Sequence, residues 1–512
     1  MDRSADSLEA VLDLELPERV PIGTGTAVLV SGACHHPRAA VRRLEIVVDG
    51  RRYRPGAWGM PRMDRLTALH PGLPAVALAR ARRDPDSPND PDLRCYRSGF
   101  WAIVPVEGRA SPGGIEFAVE ARLADGSVHR APLGSVEVVA DAASSVVRPG
   151  LIAVCVATFD PEPDLLRVQV ETLRGQTDRE WICVVRDDGS RPERYAAIEE
   201  VVGDDPRFRI IRGEERLGFY RNFERLLEAV PPEAELVALC DQDDRWYPDK
   251  LATLRATLGD AELVCSDTRL VDAGGEVLSE TLWSGRTNNV DDIVSLLLVN
   301  SVPGAATLFR RRLLDAALPF PSGPGMQFHD HWIATAALAT GRIAYVNRPL
   351  YDYIQHRRAV QGRVALEHGE GPRAPDGSRG WGARARRAWT RWRGSYHRAY
   401  LPVAVRARVL LVRCGDRLTP RQRRGLRRVL AAEHSPFALA WLAARPLRRL
   451  LGRDDTLGME WVLVRGIAWR WLIAVLGRGP ERPRRSWRDT GPPPFDPADL
   501  GTPRLRRWRA GG

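Results

Sequence analysis

Residues 236–250 read LVALCDQDDRWYPDK. The opening LVALC has the apolar run of a strand covered on both faces, as strands of a parallel sheet are. Three carboxylates follow within four positions: Asp241, Asp243 and Asp244. Clustered carboxylates repel one another unless a cation or a cationic side chain neutralises them. The stretch therefore reads in two ways. It is a solvated acidic turn entering a helix, with Pro248 at the first helical position and Lys250 just inside, or it is a strand end that presents a cation site.

The surrounding chain favours the second reading. LIAVCVAT (151–158), EWICVVR (180–186), FRIIR (208–212), ELVALCD (235–241) and ELVCSD (262–267) are short apolar runs. Helical stretches separate them, such as DLLRVQVETLRG (164–175), where Leu166, Val170 and Leu173 share a face, Asp164 can cap and Gly175 can terminate. Strand and helix in alternation predict an α/β fold with a doubly wound, mostly parallel sheet. Ligands of such sheets bind beyond the carboxyl ends of the strands. There the chain places Thr158 and Asp160, then Asp187 and Asp188, then the acidic residues of 241–244.

Residues 1–148 follow a different period. RRLEIVVDGRRYRP (42–55) and GIEFAVEARLADGSVHRAPLG (114–134) each hold an Asp-Gly turn between alternating runs, which predicts hairpins of an all-β sandwich or jelly-roll domain. His35 and His36 point to opposite sides of an extended chain, which disfavours a shared metal. The seven cysteines are odd in number and widely spaced, and read as buried free thiols of a reducing compartment. No charge-free apolar run reaches the ~18–20 residues of a bilayer span. The N-terminus lacks a basic-then-apolar signal pattern. A cytoplasmic chain is expected.

The net charge of +11 is uneven. Residues 363–512 hold 33 arginines against 12 acidic residues, a net +21 that leaves −10 for residues 1–362. Lys250 is the only lysine. GWGARARRAWTRWRGSYHRAY (380–400) and TPRQRRGLRRVL (419–430) read as helices with arginine on one side. TLGMEWVLVRGIAWRWLIAVLG (456–477) is interrupted by Glu460, Arg465 and Arg470, and reads as an interfacial or packed helix. Packing against the preceding domain and adhesion to an anionic membrane surface both account for this composition, since arginine and tryptophan suit the headgroup layer. No recognisable reading motif accompanies the charge, so no nucleic-acid partner is expected.

Six segments in order, VATFDPE (156–162), WICVVRDDGS (181–190), ERLGFYRNFERLL (215–227), LCDQDDRWYPDKL (239–251), FHDHWIA (328–334) and YDYIQH (351–356), resemble the inverting family 2 glycosyltransferases of GT-A fold, in their bacterial rhamnosyltransferase-type branch. The resemblance covers about residues 150–362. It implies a GT-A domain over 149–362, which lies between the β domain of 1–148 and a basic Trp/Arg-rich helical region over 363–478; the Pro- and Arg-rich tail over 479–512 reads as disordered from its composition. It implies transfer of a hexose such as rhamnose from a dTDP- or UDP-sugar to a glycan or lipid-linked acceptor. Thr158, Asp160, Asp187, Asp188, Arg221 and Asp241 would surround the nucleotide sugar. Asp241, Asp243 and His356 would hold Mn²⁺ or Mg²⁺, for which hard oxygen ligands are suited. Asp330 would be the general base, kept ionised by the N-terminus of the helix it opens, with His329 and His331 beside it. The chain departs from the commoner pattern in Phe159 and Asp160, where tyrosine and asparagine are usual, in HD at 329–330, and in lacking the Q-x-x-R-W motif of processive synthases. A sugar nucleotidyltransferase is the alternative enzyme, but its glycine-rich basic loop is replaced here by acidic TFDPEPD (158–164). A catalytically inactive scaffold is the alternative without chemistry.

Overall fold

The computed structural model describes residues 7–72, 95–140, 146–283, 287–323, 327–356 and 381–475. The tail expected over 479–512 lies outside them. Nine strands precede Arg148: β1 (Glu9–Leu12), β2 (Arg19–Pro21), β3 (Thr26–His35), β4 (Val41–Val48), β5 (Arg51–Tyr53), β6 (Ala57–Met60), β7 (Gly99–Val106), β8 (Gly113–Leu123) and β9 (Val128–Val139). They form two sheets, β1-β3-β7-β6 and β2-β9-β8-β4-β5, which face each other through Val30, Phe100, Val104, Ile46, Phe117 and Val119. Asp49 and Gly50 both take positive φ, 47° and 78°, as a two-residue hairpin turn with the right twist requires. A short helix, Met63–Leu69, interrupts the all-β reading. His35 and His36 serve structure: His36 Nδ1 accepts from the amides of Arg38 and Ala39, both at 3.2 Å.

The third sheet contains β10 (Arg148–Thr158), β11 (Trp181–Asp187), β12 (Phe208–Arg212), β13 (Ala234–Cys240), β14 (Arg245–Trp246), β15 (Leu263–Asp272), β16 (Val277–Ser279), β17 (Thr307–Arg310) and β18 (Ile343–Gln355). Its order is β12-β11-β10-β13-β17-β15-β18-β14, with β16 paired to β15. The five apolar runs of the sequence are β10 to β13 and β15. Six strands run parallel, whereas β17 lies antiparallel between β13 and β15, and β14 and β16 also run against their neighbours. The sheet is thus GT-A-like and mixed. β17 is only TLFR, too short to announce itself by period.

Two helix starts differ from expectation. Glu162, not Asp164, precedes the helix Pro163–Arg174, whose buried residues are Leu166, Gln169, Val170 and Leu173. The helix Lys250–Leu258 begins after Asp249, with Pro248 outside it. All seven cysteines are free and buried.

The C-terminal helices Trp381–Ser395, Leu401–Arg413, Pro420–Ala431, Pro436–Ala444 and Met459–Val475 share one core with the third sheet. β3 shows how they meet the first domain: Val28 and Val30 point into the sandwich, while Ala27 and Leu29 point out into the larger core. Several arginines of this region bind neighbouring carbonyls and carboxylates. Arg406 donates to Leu297 O at 3.0 Å, Arg413 to Ala316 O and Thr26 Oγ1 at 3.0 and 2.8 Å, and Arg470 to Gly56 O at 2.7 Å. Arg445 and Arg448 reach Asp292 at 3.4 and 3.3 Å. Of the tryptophans whose side chains are described here, Trp389, Trp392, Trp441, Trp469 and Trp471 are buried or partly buried and Trp461 is exposed. Among the described residues no helix is long and apolar enough to cross a membrane.

One close approach holds this assembly. The helix Met459–Val475 crosses the π-helical turn Tyr396–Tyr400 so tightly that a Cβ at Gly466 would stand 2.6 Å from the backbone nitrogen of Tyr396. Gly466→Val should therefore lower unfolding stability by about 2 kcal/mol or more in a denaturant titration. An unchanged midpoint would show that the crossing can open without penalty.

Candidate active site

The register of the third sheet brings three loops together. Thr158 pairs with Asp187 across β10 and β11, and Val156 with Cys240 across β10 and β13, so the segments after these strands leave side by side. Gln242 ties two of them. Its amide oxygen accepts from Phe159 N at 2.9 Å and its amide nitrogen donates to Phe159 O at 3.3 Å, repeating with a side chain what a strand pair does with its backbone. The Arg216 guanidinium lies 4.0 Å over the Phe159 ring.

Asp241, Asp243 and Asp330 are brought within electrostatic reach of one another. Burial raises the Asp241 carboxyl to about 7, and the charges of Asp243 and then Asp330 push in the same direction. Asp330 is the second residue of the helix His329–Thr340. Burial raises its carboxyl to about 6, against hydrogen bonds from the amides of His331 and Gly304 and the side chain of Asn300; the His331 contact is 2.6 Å. The helix N-terminus alone was expected to hold Asp330 ionised, but loss of water is the larger effect. The helix is buried nearly all round from His329 to Ala339. Gly304 admits this packing, since a Cβ there would meet His329 Nε2 at 2.9 Å and Asp330 Cβ at 3.3 Å.

The two flanking histidines are occupied by structure. His331 Nε2 lies 2.6 Å from Leu296 O and its Nδ1 3.1 Å from Arg406, while burial and that guanidinium hold the ring neutral, well below the usual range. His329 stacks on Phe223 with ring centroids 3.6 Å apart, and burial lowers it to about 3. His356 does reach the acidic group, its Nε2 2.8 Å from Asp243 Oδ2.

The remaining residues implied by the resemblance shape the loops. Asp187 accepts from Ser190 N at 2.9 Å and from the Ser190 hydroxyl, with Thr158 Oγ1 3.4 Å away. Asp188 accepts from the amides of Leu217 and Gly218 at 2.8 and 2.7 Å. Burial is the largest influence on Asp160, yet the amide and guanidinium of Arg191 outweigh it and hold that carboxyl low. Arg221 is committed to Glu224, Phe320 O and Ser322 Oγ. Asn222, which the sequence reading passed over, bridges the same loops by donating to Thr158 O and Arg186 O at 3.4 and 3.3 Å.

Two further ionisable groups near the acidic group are fully buried and feel each other's charge without a direct bond. Asp244 is fully buried with neither carboxylate oxygen in a well-formed hydrogen bond, and burial raises its carboxyl well above the ordinary range. Lys250, also fully buried, donates to Ala305 O and sits 3.6 Å over the Trp246 ring and 4.3 Å over that of Tyr351. Burial lowers its ammonium to about 7, opposed by the charges of Cys240, Asp244 and Asp241. Ala305 adjoins Gly304, so the lysine also braces the turn that touches Asp330.

Among the described residues no group of three or more His, Cys, Asp or Glu side chains gathers as a metal cage. Mg²⁺ needs none, because it keeps waters and takes one or two protein carboxylates beside substrate phosphates. Asp241 and Asp243 fit such a site in donor type, and their mutual repulsion is of the kind a cation relieves, whereas the His356 nitrogen suits a softer ion than Mg²⁺.

Removing the buried cation tests how the site is braced. Lys250→Met, similar in volume, should destabilise the fold by about 3 kcal/mol because it strands Asp244 in the interior. Asp244→Asn combined with Lys250→Met should recover a large part of that loss in chemical denaturation. Equal loss in the single and double variants would show that the two residues act independently.

Residues 153–318 match the family described as glycosyl transferase family 2. The Bacillus subtilis (strain 168) protein named "Putative glycosyltransferase EpsH" is 28% identical over 218 residues, 41% of this chain and 62% of its own length. An uncharacterized protein of Sinorhizobium fredii, y4gI, is 27% identical over 129 residues, 24% of this chain and 14% of its own length. The chain thus spans less than two thirds of these relatives. Among solved structures, residues 1–349 of S. aureus TarS in complex with UDP-GlcNAc superpose with a TM-score of 0.37 at 13% identity, covering 68% of this chain and 99% of that one. Over residues 153–318, which include Asp241 and Asp243, the chain carries a family 2 glycosyl transferase domain.

Proposed function

We propose that the chain is a metal-dependent inverting glycosyltransferase. It moves a hexose, rhamnose among the candidates, from a dTDP- or UDP-sugar to a hydroxyl of a glycan or lipid-linked glycan in cell-surface polysaccharide synthesis, at the cytoplasmic face of the membrane. The observation that carries this reading is the convergence of Asp241 and Asp243 with Asp330, from separate parts of the chain, beyond the carboxyl ends of parallel strands. One carboxylate set suits a cation, and the other suits a proton.

Asp330 takes the proton of the acceptor hydroxyl as that oxygen attacks the anomeric carbon opposite the diphosphate. A carboxyl raised to about 6 is a better base than a free aspartate and is still ionised near neutrality. Asp241, Asp243 and His356 would hold a divalent cation, which would supply positive charge for the leaving diphosphate. Thr158, Asp160, Asp187, Asp188 and Arg221 hold the loops around the nucleotide, which leaves much of the nucleotide recognition to backbone groups. Their own partners support that indirect role.

Asp243→Ala should abolish Mn²⁺-dependent binding of the nucleotide sugar in calorimetry, and unchanged metal-dependent affinity would refute the cation assignment. Asp330→Asn should keep donor affinity while turnover falls by ~10² or more. In the intact enzyme, kcat/KM should fall as pH drops through about 6, because protonation removes the base; the variant should lack that limb. Near-normal transfer by the variant, or a product that retains the donor's anomeric configuration, would overturn the one-step mechanism.

A further inference from the structure

Between residues 437 and 461 six large apolar side chains stand exposed: Phe437 87%, Leu450 83%, Leu451 81%, Leu447 63%, Trp461 56% and Leu457 44%. They belong to one elbow, made by the helix Pro436–Ala444, the 3₁₀ segment Arg445–Leu451 and the start of the helix Met459–Val475. The elbow is closed on itself: Arg453 N donates to Arg448 O at 3.1 Å, and Arg449 Nε donates to Asp454 at 2.8 Å. Side chains this exposed stand clear of the surface rather than lining a groove. An apolar tip of this size is uncommon on a solvated surface.

A basic face lies beside it. The helix Pro420–Ala431 turns Arg421, Arg424, Arg427 and Arg428 outward, positions that share one side of a helix. The Arg428 guanidinium lies 5.5 Å over the ring of Trp441, on the elbow's first helix. Arg449 and Arg453 are exposed on the elbow itself. The acidic groups nearby are already paired, Asp454 with Arg449 and Asp455 with Arg448.

We propose that this elbow inserts into an anionic lipid leaflet, its leucines and Phe437 entering the acyl boundary and the arginines meeting headgroup phosphates. Apolar insertion flanked by cations is how an interfacial segment binds. A second copy of the chain is a poorer occupant, because two-fold pairing of the leucines would set each arginine face near its own copy. The proposal locates contact at aliphatic residues, whereas most of the tryptophans and many arginines that suggested a membrane in the sequence are used in packing. It deepens the reading of a lipid-linked acceptor, though the lipid contact does not need the transferase chemistry. Asp292 holds Arg445 and Arg448 of the elbow and caps the helix Ile293–Leu298, whose continuation supplies Asn300 to Asp330. Docking would thus fix the acidic site relative to the leaflet.

The test uses the full chain and vesicles of phosphatidylcholine, alone or with about one third phosphatidylglycerol. The protein should sediment with the anionic vesicles and far less with the neutral ones. Leu450→Glu/Leu451→Glu should lower that partition by about tenfold or more, and Arg424→Gln/Arg427→Gln should lower it and weaken its salt dependence. Both pairs are exposed, so thermal unfolding should stay unchanged. Binding by the Leu→Glu variant equal to that of the intact chain would overturn the proposal, as would a dimer in sedimentation equilibrium that the same variant dissociates. Calorimetry with a nucleotide sugar separates the two readings. Donor binding without vesicle binding defeats the elbow alone, and vesicle binding without donor binding defeats the transferase reading alone.

Discussion

Carboxyl groups held close together, partly screened from water, are the constraint around which this protein is arranged. Asp241, Asp243 and Asp330 would separate if their supports were soft, and Asp244 adds a fourth carboxylate directly below. Each is fixed by something rigid. Asp241 and Asp243 leave the end of β13, which is paired on both sides; Asp330 opens a helix packed on nearly every face; Lys250 is pinned between two aromatic rings and a carbonyl. Repulsion kept in place this way raises the carboxyls' affinity for a proton and is of the kind that a cation also relieves.

The supports lead outward through the whole chain. Ala305, the acceptor for Lys250, lies in the turn before β17, and that antiparallel strand joins the half of the sheet formed by β10 to β13 to the half that ends in β18 and His356. The helix carrying Asp330 is held through His331 by Arg406 of the C-terminal region. Arg413 of the same helix Leu401–Arg413 continues to Thr26 of the first domain. An arginine can bridge several carbonyls with one planar group, so a basic region of this kind works as an adhesive between domains. Part of its charge is therefore internal, while among the described residues Arg387, Arg391, Arg398, Arg408 and Arg417 stay exposed along with the arginines of the helix Pro420–Ala431.

The sequence by itself determined the parts that depend on local pattern. Apolar runs ending in carboxylates located β10, β11 and β13 together with their loops, and the Asp49–Gly50 dipeptide located a hairpin because few residue pairs accept positive φ at both positions. The acidic triplet and Asp330 were visible as residue types that need a reason to be near one another. Tertiary structure alone decided which of the candidates remain accessible for chemistry. Asp187, Asp188 and Arg221, read as ligands in the sequence, also hold local structure through Ser190, the 217–218 amides and the 320–322 segment. His331 is filled by Leu296 and Arg406, which lie 35 and 75 residues away. The antiparallel β17, the clamp of Gln242 on Phe159 and the exposed leucine elbow were equally hidden. The physical reason is common to all of these. Period and composition report whether a residue prefers water or a core, whereas hydrogen-bond partners and burial are set by segments distant in the chain, and only the fold brings those segments together.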